Sequence, residues 1–262
     1  MKKIEINILS FILMESLILL FFFKENILNM IIGSIIGLIL IILLRNIKFN
    51  KVIKISLLII SIIIYLSSIY LVSDYIRENI LKFYSEIIII IILIILSIHL
   101  SIKGYHTFIK SLQLSSYIYI VLKLISIILS IPNININNLN IKLLDELQIN
   151  INSLYIGLFI TYLYLGIKYL TDFKLNIKNY IISIFNPIFI KILSLFILGK
   201  TLFYLYDYPY INILKRIKYL DFIERMEGIF SLFYLISFYF FLSFSLMLVI
   251  DISKNLFIKK KI

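Results

Sequence analysis

The strongest constraint on this chain is a series of long apolar runs that follow one another almost without interruption. They fall near Ile6–Phe23, Ile27–Leu44, Ile55–Val72, Ile87–Ile102, Ser115–Ile131, Leu154–Leu170, Tyr180–Leu198 and Phe230–Ile250. A helix rises ~1.5 Å per residue, so about 20 residues cross the ~30 Å hydrocarbon core of a bilayer. Lipid offers no partner to a free backbone group, and a run in that solvent must satisfy its own N–H and C=O groups as a helix. The expected fold class is therefore all-α: a polytopic transmembrane helix bundle of about eight spans, forming a single membrane domain over residues 1–262.

The remaining residues agree. Hydrophobic side chains make up 62% of the 262 residues and charged ones only 15%, where a soluble domain carries about 25% charged residues. Cysteine is absent, which excludes disulfides, thiol catalysis and cysteine metal sites. The heavy use of Ile, Lys, Asn, Tyr and Phe reads as the codon bias of an AT-rich bacterial genome. Met1-Lys2-Lys3 ahead of an apolar run resembles a signal peptide, but no small-residue cleavage site follows. The run is read as a retained first helix.

The net charge of +12 raises nucleic acid or a membrane as partners. The placement of the charge favours the bilayer and argues against nucleic acid. With the N-terminus inside and eight spans, the inner connections hold fifteen lysines and arginines and the outer ones nine. This asymmetry puts both termini in the cytoplasm. A seven-span arrangement would put Lys259-Lys260-Lys261 outside, against that rule.

Two outer segments are not spans. In Pro132–Asn150, an Asn-Ile alternation from Asn133 to Asn137 reads as loop and codon bias, and Leu143-Leu144-Asp145-Glu146-Leu147 as a short surface helix. In the segment near 210–222, Tyr210, Ile213, Leu214, Ile217 and Leu220 recur at helical spacing opposite Asn212, Lys215, Arg216 and Lys218. This amphipathic helix suits either the membrane interface or an outer lid on the bundle. Tyr204, Tyr206, Tyr208 and Tyr210 fit an interfacial aromatic belt.

The candidate ligand-binding residues are the polar groups inside spans. Glu15, Lys123 and Lys191 each lie well within an apolar run, where an isolated charge costs ~3 kcal/mol on insertion scales. Glu15 has two possible partners, Lys123 and Lys191. The pair either fixes packing or leaves a spare cation facing a midplane pocket, and a lysine with no partner can snorkel outward along its stem. Asn186-Pro187 interrupts the seventh run. Proline removes one helical hydrogen bond and kinks the helix, for packing or to line a cavity. His99 reads as a hydrogen-bonded packing residue. Gly33 and Gly37 form a Gly-x-x-x-Gly suited to close helix contact. HExxH, Walker and GxSxG signatures are all absent, so neither an enzyme nor a cofactor is expected.

Two stretches carry a family resemblance. One is Gly104-Tyr105-His106-Thr107-Phe108-Ile109-Lys110 after the fourth run. The other comprises Gly199-Lys200, Tyr208-Pro209 and Phe222-Ile223-Glu224-Arg225-Met226-Glu227 before the last run. Their order and spacing resemble the spore germination permease family. This is the B subunit of spore germinant receptors, related to amino acid–polyamine–organocation transporters. Its members carry Gly-x-Glu-x-x-x-Arg after the fourth span and Gly…Pro…Phe-x-Glu-Arg-x-Glu before the eighth. Gly104, Gly199, Pro209, Glu224, Arg225 and Glu227 match, whereas His106 stands in place of Glu and Lys110 in place of Arg. The family usually has ten spans, so the resemblance is to a shortened member.

The resemblance implies a transporter-like subunit in the spore inner membrane. It would sense a small nutrient such as an amino acid and partner a larger membrane subunit and a lipoprotein. Glu224, Arg225 and Glu227 would act as a gate. A secondary amino acid transporter and a structural subunit without a ligand are the competing expectations.

Overall fold

The computed structural model describes residues 3–138, 150–171, 177–216 and 227–257. The helices are α1 (Lys3–Leu17), continued by a π turn (Ile18–Phe22), then α2 (Ile27–Leu44), α3 (Lys51–Asn79), α4 (Glu86–Ile102), α5 (Tyr105–Ser130), α6 (Asn152–Thr171), α7 (Ile177–Leu205), α8 (Pro209–Arg216) and α9 (Glu227–Phe257). Among the described residues there is no strand. Every apolar run has become a helix. The short segment expected at Leu143–Leu147, and Ile217, Lys218, Leu220, Glu224 and Arg225, lie outside the described residues.

Six helices (α2, α3, α5, α6, α7 and α9) are long and apolar enough to cross a membrane. The other two expected spans form shorter apolar helices. Helix α4 has 17 residues, a rise of about 26 Å against a core of about 30 Å. The exposed surface is what lipid requires. Ile35, Ile59, Ile63, Ile91, Ile95 and Leu124 stand outward from α2, α3, α4 and α5. In water such a belt would aggregate, but in hydrocarbon it carries no cost.

Contacts between helices fix their directions. Glu15 on α1 meets Asn186 on α7, and Asn7 meets Asn179, so α1 and α7 run parallel. Asn29 lies beside Asn150, and Lys168 lies beside Leu44, so α2 and α6 also run parallel. Arg77 reaches Glu86 and Tyr65 reaches Ser97, which makes α3 and α4 antiparallel. One end of the bundle gathers Lys24, Asp74, Arg77, Glu86 and Asp207; the other gathers the Arg45–Ile47 turn, Lys168 and Asn255.

The closest helix contact is between α2 and α6, and it depends on glycine. A Cβ on Gly33 would lie 2.6 Å from the Ile156 Cβ and 2.7 Å from the Ser153 carbonyl oxygen. One on Gly157 would lie 2.7 Å from Ile36. Small residues on both faces let the backbones approach and replace side-chain volume with dispersion contact.

Helix ends inside this bundle need partners, and two buried lysines supply them. Lys191 donates to the Phe23 carbonyl at 2.7 Å, at the end of the π turn. Lys168 donates to the carbonyls of Leu44, Arg45 and Ile47 at 3.3, 2.9 and 2.9 Å, beyond the end of α2. Both ammonium groups sit at the negative end of a helix.

Three expectations change. The backbone stays helical through Pro187, and the break in α7 is at Gly199, where φ is 73°. That left-handed conformation suits glycine. The Phe196 carbonyl near the break accepts from the Asn138 amide at 2.8 Å and from the Asn135 backbone N–H at 3.3 Å. The Asn138 side chain, just past the Asn-Ile alternation, thus caps the break, whereas Asn135 contributes only its backbone. His99 is exposed, not packed, because it lies about 200° around α4 from the buried Ser97. Tyr204, Tyr208 and Tyr210 turn toward protein partners instead of forming a belt, bonding Asn26, Asp74 and Ser126 respectively.

Candidate functional site

Glu15 is fully buried on α1, one turn before the π turn. Its Oε2 accepts three donors from two other helices. The Tyr119 hydroxyl and the Lys123 ammonium come from α5, and the Asn186 amide comes from α7 at 2.5 Å. Tyr119 and Lys123 are four residues apart and so share one face of α5. Lys123 is 4% exposed, and its ammonium lies 5.0 Å from the centroid of the Phe11 ring and 5.4 Å from that of Tyr119. The pair is thus enclosed by aromatic faces that favour a cation. Glu15 Oε1 is buried and has no hydrogen-bond partner. An unsatisfied carboxylate oxygen in such a place is costly, which marks it as an available acceptor.

Glu15, Lys123 and Asn186 are therefore brought together. Lys191 is not, since it is committed to the Phe23 carbonyl with its ammonium 5.6 Å from the Phe203 ring centroid. Tyr119 completes the cluster and carries no sequence signal of its own.

A polar seam descends from Glu15 between α1 and α7. Ser10 and Ser183 oxygens lie 3.3 Å apart, and below them Asn179 bonds Asn7. A groove of about 350 Å³ follows this seam, lined by Asn7, Phe11, Tyr119, Asn179 and Ser183.

Above Glu15, one turn further along α1, Leu19 lines a small cavity of about 30 Å³ with Tyr75, Tyr208, Tyr210, Tyr234 and Phe238. That volume admits about one water-sized group. Helix α8 closes its top. Pro209 begins α8, where its missing N–H costs nothing. The helix buries Tyr210, Ile213 and Leu214 within the bundle and does not lay them on lipid. The Tyr210 hydroxyl is 2.8 Å from Ser126 Oγ, linking this cap to α5 one turn from Lys123. At the mouth the Tyr208 hydroxyl donates to Asp74 at 3.2 Å. Burial, then the Asp74 and Glu78 carboxylates, push its pKa above the usual phenol value.

The motif residues are spread out. Gly104 starts α5 with φ 82° and its Cβ position is open, so a tight turn explains it. His106 and Lys110 are exposed on the first turns of α5. Lys110 lies about 20 Å along the axis from Lys123. Glu227 begins α9. Among the described residues, no group of three or more His, Asp or Glu side chains is placed to hold a metal.

No protein family, no curated protein and no solved structure matches this chain.

Proposed function

We propose that this chain is the transporter-like membrane subunit of a spore germinant receptor, sensing a small nutrient. It has eight spans and both ends in the cytoplasm. The observation that carries the sensing role is Glu15: a buried carboxylate with one oxygen held by three donors and the other open, below a capped cavity. Intramembrane ionisable groups are rare because they are costly, and they concentrate at ligand and ion pathways. A ligand enters from the Asp74–Asp207 end, displaces α8 and offers a donor to Glu15 Oε1. The α1 π turn and the α7 break at Gly199 are the places where those helices can yield. Binding produces a signal only if the two packings differ in affinity for the ligand. A larger membrane subunit and a lipoprotein then read the change. The germinant assignment is supported by the order of Gly104, Gly199, Pro209, Glu224, Arg225 and Glu227. Orientation is supported by the excess of lysine and arginine at the Arg45–Lys54 end.

Deleting the gene and testing spore germination nutrient by nutrient is the experiment. Loss of the response to one nutrient class is expected; unchanged germination to every nutrient overturns the reading. A secondary amino acid transporter is the second reading, favoured by the interrupted helix α7, since broken helices build transporter sites. Uptake of labelled amino acid into proteoliposomes separates the two.

A further inference from the structure

We infer that the aromatic cavity beneath α8 is a binding site for a primary ammonium group, which narrows the nutrient to small amines; this rests on the sensing reading above. Four observations converge on it.

The walls are aromatic. Tyr75 stands at the centre, with ring centroids 5.1 Å from Tyr208 and 5.2 Å from Phe238, and Tyr210 lies 5.3 Å from Tyr234. The three pairs meet edge to face, at 84°, 86° and 82°, so the rings form a rigid wall, and an aromatic wall is more favourable to a cation than to an anion. The Tyr75 side chain is 2% exposed and its hydroxyl has no hydrogen-bond partner. It lines the cavity and can accept an N–H.

The mouth is acidic. Asp207 lines it, Asp74 holds the Tyr208 hydroxyl, and Glu78 stands close enough to act on that same hydroxyl. Glu86 lies beside them through Arg77. Among the described side chains, Lys24 pairs with Asp207 and Arg77 with Asp74 and Glu86. The described carboxylates outnumber the described cations, a balance that favours a cation over an anion.

Beneath the lining residues, and not part of the wall itself, lies Glu15, paired with Lys123 but with Oε1 open and close enough to act on the hydroxyls of Tyr210 and Tyr234. The room is about 30 Å³, enough for ammonium or methylammonium and too little for tetramethylammonium. A lysine ammonium already stands at the entrance, with Lys24 Nζ 2.5 Å from Asp207 Oδ1. Lys24 is thus a tethered competitor for incoming amines.

The test uses the full chain in phosphatidylcholine nanodiscs with radiolabelled methylammonium at fixed ionic strength. Saturable binding is expected, displaced by ammonium but not by sodium or tetramethylammonium. Tyr75→Phe keeps the ring and removes the acceptor; it should weaken binding about 5-fold. Lys24→Gln, at the surface, should tighten it about 2-fold. Non-saturable uptake, equal displacement by sodium, or an unchanged affinity in a folded Tyr75→Phe protein overturns the inference. Binding that behaves as expected, in a chain whose deletion leaves germination unchanged, overturns the sensing reading alone. A lost nutrient response on deletion, without methylammonium binding, overturns the ammonium site alone.

Discussion

Asn186 on α7 donates its side-chain amide to Glu15 on α1 at 2.5 Å, the same oxygen that Lys123 and Tyr119 reach from α5. One carboxylate oxygen thus joins three helices that are far apart in sequence. Within a bilayer the arrangement is self-consistent only while both charges are present. Removing one leaves the other in hydrocarbon without compensation.

Glu15→Gln and Lys123→Met should each destabilise the protein by about 3–5 kcal/mol, the usual cost of orphaning one partner of a buried pair. The double variant should recover most of that loss. Thermal denaturation in nanodiscs, read as a double-mutant cycle, measures the coupling. Additive losses would show that the pair does not act as a unit.

Lys191→Met tests a different role. Its ammonium caps the Phe23 carbonyl and takes no part in the Glu15 cluster. The expected effect is a loss of about 2 kcal/mol, typical of a hydrogen bond to a charged group. Affinity for a ligand at Glu15 should hold in protein that remains folded. A large loss of ligand affinity at unchanged stability would return Lys191 to the site.

Gly33 and Gly104 should fail for different reasons. A methyl on Gly33 meets the Ser153 carbonyl, which cannot step aside, so Gly33→Ala should cost about 1–3 kcal/mol through forced separation of α2 and α6. Gly104 has open space but φ 82° and ψ 168°, so Gly104→Ala should cost about 1–3 kcal/mol of backbone strain. With ψ at 168° the position lies outside the left-handed helical region that Asn tolerates, so Gly104→Asn should fare no better than Gly104→Ala, whereas Gly33→Asn should cost more than Gly33→Ala. Denaturation midpoints of the four variants decide it.

Asn138→Ala removes the side-chain donor to the Phe196 carbonyl at the α7 break. About 1–2 kcal/mol of stability should be lost, with local opening concentrated around Gly199. Hydrogen exchange of residues 196–205 is the measurement, and unchanged protection there would remove the cap from the account.

Helix existence was legible because apolar runs in lipid have one backbone solution. Helix length was less so. Helix α3 continues past Val72 to Asn79 because Asp74 and Arg77 pair with each other, and Arg77 with Glu86, at the bundle edge. Glu15, Lys123 and Asn186 stood out as polar residues in apolar surroundings. Tyr119 did not, since the chain has 19 tyrosines and nothing local distinguishes that one. The partners of Lys191, Lys168 and Asn138 are backbone carbonyls, which every residue possesses, so no spacing announces them. The seam and the cavity depend on helix adjacency, which periodicity does not encode.

The eight-span orientation makes a prediction that the absence of cysteine renders clean. Asn50 precedes α3, Lys254 is in the last turn of α9, and Lys82 lies between α3 and α4. If all eight expected spans cross the bilayer, Asn50→Cys and Lys254→Cys face the cytoplasm and Lys82→Cys faces outward. A membrane-impermeant maleimide on intact cells should label only Lys82→Cys, and permeabilised cells should label all three. If α4 failed to cross, Lys82→Cys would keep its outward label and Lys254→Cys would be labelled on intact cells as well. An absent outward label at Lys82→Cys would instead move the Asp74–Asp207 mouth to the cytoplasmic face, where an external ligand could not reach it.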